Sequence, residues 1–169
     1  SLHPSSQMDR PHIIYNKETQ KFVCWLKIMH KDGSQTVTVL TAEHILGPYE
    51  KVRENLRPLN MNAGDFDLVV ADDGKAYYYF ERVHSETICA DLTADYTDVT
   101  GYYSTHFPHP YPPYVREATA HFYRNGKHYL ATSGTTGYLP NPSEIAVADT
   151  WHGPYRVLGD LHPADNSDT

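Results

Sequence analysis

Apolar and polar positions along the chain fall into short runs rather than long stripes. His12-Ile13-Ile14-Tyr15 leads through a polar stretch into Lys21-Phe22-Val23-Cys24-Trp25. The plan returns as Leu68-Val69-Val70 before Lys75-Ala76-Tyr77-Tyr78-Tyr79-Phe80, and again as Ala120-His121-Phe122-Tyr123 before Lys127-His128-Tyr129-Leu130. Runs of about four to eight residues rich in β-branched and aromatic side chains predict strands. Asp73-Gly74 and Asn125-Gly126 between such runs predict tight hairpins, because both turn positions must tolerate positive φ.

The spacing predicts a repeat. Lys21 and Lys75 are 54 residues apart, and Lys75 and Lys127 are 52 apart. Each hairpin is followed by a third strand, over 36–42, 87–92 and 144–148. A fourth segment follows Gly47-Pro48-Tyr49 in the first unit and recurs after Gly153-Pro154-Tyr155 in the third, 106 residues later. In the middle unit, residues 93–99 are expected to take its place. Four short antiparallel strands per unit predict an all-β fold, a partial β-propeller of about three four-stranded blades over 9–60, 61–112 and 113–169. A β-sandwich is the alternative, but it leaves the matching Gly-Pro-Tyr unexplained. A ring needs more blades to protect its strand edges, so the chain is expected to be a fragment whose closure requires missing blades, with 163–169 as an interblade linker. Trp25 and Trp151 are expected between blades, and the Tyr77-Tyr78-Tyr79 run mostly in the core.

Composition fits a folded domain. Of 169 residues, 40% are hydrophobic and 21% charged, too apolar a balance for disorder. The 14 Tyr, 12 Pro and 10 Gly suit strands joined by turns. A net charge of −7 without a basic cluster argues against nucleic-acid binding. No apolar run approaches a membrane span and no signal-peptide pattern opens the chain, so neither a membrane partner nor a compartment is assigned. Cys24 and Cys89, each within a strand-like run, are expected as buried free thiols. No cofactor or metal is expected: His106 and His109 lie in a Pro-rich loop without an acidic or thiol companion. That loop, 106–114, leads directly into Arg116-Glu117 and is expected as a pocket wall.

The repeat gives three acids one address. Asp65 and Glu117 each lie ten residues before the alignment lysine, and Asp9 lies twelve before, where the turn is about two residues longer. All three start the first strand of a blade, the strand that lines a propeller's channel, so they are expected to converge on one cavity. Carboxyl groups crowded together repel, so one should keep its proton near neutral pH. A protonated acid beside an ionised one is the pairing that glycosidic cleavage requires. Thr135, Thr136 and Tyr138, in the Gly-punctuated loop 132–138, are expected to grip and stack on a sugar. Arg116 is expected beside them.

The segments Asp9-Arg10-Pro11-His12-Ile13-Ile14-Tyr15-Asn16, Asp72-Asp73-Gly74-Lys75-Ala76-Tyr77, Arg116-Glu117-Ala118, the loop 132–138 and Gly153-Pro154-Tyr155 resemble glycoside hydrolase family 43, most nearly its exo-β-1,3-galactanase-type branch. The resemblance implies a five-bladed propeller that hydrolyses plant-type glycans with inversion, acting on an oligo- or polysaccharide of galactan or arabinan type. It makes Glu117 the general acid, Asp65 the residue that tunes its pKa, and Asp9 a sugar contact one methylene shorter than the branch's Glu. Two positions depart from the pattern. Thr119 replaces the Pro of Glu-Ala-Pro, and the first-blade Asp that handles water in most of the family is missing. In the galactanase-like branch a fourth-blade Gln takes that part and would fall beyond Thr169, so the chain by itself is expected to be inactive. A propeller that binds sugar without a base is the alternative reading.

Overall fold

Three four-stranded antiparallel sheets make up the computed structural model, which describes residues 7–161. The first holds β1 (Gln7–Asn16), β2 (Lys21–Met29), β3 (Gln35–Ala42) and β4 (Glu50–Leu56) in sequence order. The second holds β5 (Ala63–Val70), β6 (Ala76–Arg82), β7 (Glu86–Leu92) and β8 (Val99–His106). The third holds β9 (Arg116–Arg124), β10 (Lys127–Gly134), β11 (Glu144–Ala148) and β12 (Arg156–Asp160). These are propeller blades, with the first strands β1, β5 and β9 beside one another and the last strands on the rim. The expected linker over 163–169 lies outside the described residues.

The seams explain the residue pattern. One core cluster fills the space between the first two blades, and Trp25, Val37, Val39, Phe66, Tyr78 and Phe80 are among its members. Trp25 packs on Tyr78 at 4.8 Å, and its indole N–H donates to the Tyr96 carbonyl at 2.8 Å. A second cluster joins the middle and third blades through Tyr77, Tyr79, Cys89 and Leu130. There Trp151 stacks flat on Tyr77 at 4.4 Å, and the Tyr79 hydroxyl donates to the Trp151 carbonyl at 2.7 Å. Strand side chains alternate between faces. Because the middle blade is covered on both, Ala76 to Phe80 are all buried and β6 reads as one apolar run. The rim strand β4 is almost wholly exposed and correspondingly polar. Cys24 and Cys89 are buried free thiols, and burial pushes both up.

One strand differs from expectation. Residues 93–98 of the middle blade form a turn, and the fourth strand runs instead from Val99 to His106. Asp95 accepts from the Thr93 and Thr97 hydroxyls and from the Thr97 backbone N–H. Such local side-chain acceptors offer the backbone an alternative to the sheet ladder. The strand therefore also takes in His106, whose ring bonds the Ser104 hydroxyl at 2.9 Å rather than joining the loop that follows.

The blades are tied together at their first strands. Arg10 Nη2 donates to the carbonyls of Phe66 and Thr119, at 3.2 and 3.3 Å. Asp67 accepts the His121 backbone N–H at 2.7 Å and lies 3.0 Å from His12 Nδ1. Each of these two side chains thus spans all three blades.

Candidate active site

A bulge interrupts each first strand close to its acid. Pairing slips between Asp9 and His12 on β1, between Ala63 and Phe66 on β5, and between Glu117 and Ala120 on β9. A bulge adds an unpaired residue and re-aims the side chains around it. Arg10 and Ala118, each directly after an acid, take left-handed conformations at φ 53° and 51°. For residues with a Cβ this conformation costs about 1–2 kcal/mol, and the surrounding ladder holds it.

The bulges turn Asp9, Asp65 and Glu117 into one cavity of about 490 Å³, within the range of small-ligand sites. Its wall also carries Arg10, Lys27, Glu81, His84, Ser133 and Tyr138. Glu81 is buried; its Oε1 accepts the His84 backbone N–H at 2.8 Å and lies 3.5 Å from the His84 ring. Lys27 Nζ donates to Asp65 Oδ1 at 2.6 Å and lies 3.7 Å from Asp9 Oδ2.

This environment pushes Glu117 up to about 7. Loss of water around the half-buried carboxyl is the largest cause, followed by the negative charges of Glu81 and Asp65; Lys27 and Arg10 pull the other way. Burial likewise raises Glu81, against the opposing effect of His84. A carboxyl poised near 7 in a cavity lined by other carboxyl groups can deliver a proton at neutral pH and take it back.

The remaining expected contacts divide. Tyr138 stands at the tip of its loop on the cavity wall, almost fully exposed. Arg116 turns away: Nε and Nη2 donate to the hydroxyl and carbonyl of Thr132, at 3.0 and 2.7 Å, with Glu144 at 3.9 Å. Thr135 and Thr136 lie behind the wall, outside the lining. The Thr136 hydroxyl donates to the Leu139 carbonyl and accepts from buried Asn141 at 2.8 Å. Asn141 also accepts from the Gly134 N–H at 2.6 Å and donates to the Gly134 carbonyl at 3.1 Å, stapling the loop shut. The Pro-rich loop does not wall the cavity; it braces this one, with the Pro113 carbonyl accepting the Thr135 N–H at 3.0 Å.

Lys27, Glu81 and Ser133 were not anticipated, yet a signal for them exists. Each lies six residues past its alignment lysine, on the second strand of its blade. The repeat that aligned the three acids aligns these as well, so two equivalent positions in every blade reach the cavity.

Comparison with known proteins bears on the fold and the family. The Glycosyl hydrolases family 43 profile matches residues 11–168, while no curated protein matches the chain. Among solved structures, a family-43 β-1,3-galactosidase with galactodeoxynojirimycin is similar at 26% identity and a TM-score of 0.84, over 99% of this chain and 64% of that one. An exo-β-1,3-galactanase from Phanerochaete chrysosporium, solved with β-1,3-galactotriose, is 26% identical with a TM-score of 0.83, over 94% of this chain and 37% of that one. An exo-β-1,3-galactanase from Clostridium thermocellum, 24% identical with a TM-score of 0.79 over 91% and 36%, shares the fold. The chain thus spans less than two thirds of the length of each. Since the family match runs from the first blade through the third, the chain belongs to glycosyl hydrolase family 43.

Proposed function

We propose that the chain forms the acid-bearing part of a glycosidase that hydrolyses O-glycosidic bonds in a galactan- or arabinan-type polysaccharide with inversion. The observation that carries this reading is Glu117, raised to about 7 in a cavity it shares with Asp65 and Asp9. Glu117 enters as a carboxylic acid and protonates the leaving oxygen as the glycosidic bond breaks. Asp65 raises its pKa by charge, Asp9 binds sugar hydroxyls, and exposed Tyr138 offers a ring face for stacking. Water attacks the opposite face of the sugar, and the group that takes its proton is assigned to no residue of these three blades. Galactose-containing substrates are favoured over arabinose because solved relatives at 26% identity are described as a β-1,3-galactosidase and an exo-β-1,3-galactanase.

The test is Glu117→Gln in the full-length protein. General-acid assistance contributes about 10²–10⁴ in rate. Turnover of β-1,3-galactobiose should therefore fall by that factor, and much less for an aryl β-galactoside whose leaving group needs no proton. Proton NMR of the first product should show the α-anomer, as inversion demands. Unchanged turnover in Glu117→Gln would remove Glu117 from the acid's place, and a β-anomeric first product would exclude inversion.

A further inference from the structure

The second strands supply the cavity with a lysine, a glutamate and a serine at one repeat position. Lys27, the lysine, is 7% exposed. A buried ammonium loses its hydration and is tolerated where carboxylates replace it; here Asp65 does so at 2.6 Å, with Asp9 at 3.7 Å. We propose that Lys27 is a positioning residue for the proton donor: its ammonium clamps Asp65 in one orientation beside Glu117 and balances the cavity's carboxyl groups from inside. The proposal rests on Glu117 being the acid.

The surroundings single out Lys27. Facing Glu117 are Asp9 and Arg10 from β1, Lys27 from β2, Asp65 from β5, Glu81 from β6 and His84 from the turn after β6. Of the cations, Arg10 spends one guanidinium nitrogen on the Phe66 and Thr119 carbonyls. His84 is exposed and sits beside Glu81. Among the described residues of the cavity, Lys27 is the buried cation in contact with Asp65. The clamp spans two blades, β2 of the first and β5 of the second, so it also fixes Asp65 against the frame that carries Asp9. Without it, Asp65 loses its donor, and Glu117 loses a nearby positive charge that opposes its protonated form.

Lys27→Met in the full-length protein tests this, read by carboxyl-carbon NMR titration of Glu117, with the resonance assigned by its loss in Glu117→Gln. The Glu117 midpoint should rise by about one pH unit, and Lys27→Arg should restore it. The alkaline limb of kcat/KM for β-1,3-galactobiose should move up with the midpoint while kcat falls, a pattern that a purely structural role does not produce. An unmoved midpoint in folded Lys27→Met overturns the clamp even where the wild type hydrolyses sugar. A raised midpoint in a wild-type background that hydrolyses nothing leaves the clamp standing and removes the catalytic reading instead. Should Lys27→Met fail to fold, Asp65→Asn is compared with Lys27→Met/Asp65→Asn, which removes the pair together. The double variant should titrate Glu117 higher than the single, and equal midpoints overturn the proposal.

Discussion

The Glu81 carboxylate occupies the space that a side chain at residue 64 would need. Gly64 is buried on β5, and a Cβ built there runs into Oε2 and Cβ of Glu81. The glycine is thus required by close approach and not by a turn. Gly64→Ala should push Glu81 aside and lower stability by about 1–3 kcal/mol, the range for overpacking a filled site. It should also lower the Glu117 titration midpoint, because the negative charge of Glu81 helps to raise it. Urea unfolding and the Glu117 titration check the two effects separately.

Glu117 makes stability depend on pH in a stated direction. In the folded protein it holds its proton up to about 7, whereas an unfolded glutamate releases it near about 4.3. The stabilisation that comes with the bound proton is fully present below the lower value and is lost as pH rises through the upper one. After allowance for solvent screening of a half-exposed group, the wild type should lose about 1–2 kcal/mol across that window. Glu117→Gln should flatten the slope, as measured by urea midpoints at a series of pH values.

The seam between the first two blades depends on Trp25, which is fully buried. Trp25→Ala should cost about 3–5 kcal/mol. Trp25→Phe keeps a ring against Tyr78 but strips the Tyr96 carbonyl of its donor, and should cost about 1–3 kcal/mol. Since the second core cluster lies on the other side of β6, hydrogen exchange should quicken in β2 and β3 more than in β10.

Asn141 connects the sugar-facing loop to β10. Asn141→Ala leaves both backbone groups of Gly134 without their partner and should release the loop that presents Tyr138. Galactobiose affinity should fall by a similar factor in Asn141→Ala and in Tyr138→Ala. Only the former should also lose stability, by about 1–3 kcal/mol. Calorimetry and thermal unfolding of the two variants separate these contributions.

How far the sequence alone reached is instructive at particular residues. The blades were legible because Asp73-Gly74 and Asn125-Gly126 mark hairpins by backbone chemistry, and because a repeat multiplies weak signals. The turn at 93–98 is not legible as such, since Thr and Tyr there suit a strand and only the Asp95 side chain decides otherwise. Convergence of the three acids followed from their register, but the bulges that aim them leave no mark in residue type. Arg116 reads as a pocket residue because it adjoins Glu117, yet neighbours in a strand point to opposite faces. Lys27 shows the converse: in Trp25-Leu26-Lys27-Ile28-Met29 it reads as a solvent-facing interruption, and its burial depends on Asp65, 38 positions away.

The two-per-blade arrangement has a consequence for variation. Every strand is held by backbone ladders that are indifferent to the side chain pointing into the cavity. A substitution there alters one vertex of the polygon and leaves the strands that carry the other five in place. Relatives of this chain can therefore exchange an acid, a cation or a hydroxyl like letters in a short code, written here as Asp, Asp, Glu on the inner ring and Lys, Glu, Ser on the next. An insertion of one residue ahead of a bulge acts differently: it rotates a whole corner outward and erases the letter rather than changing it.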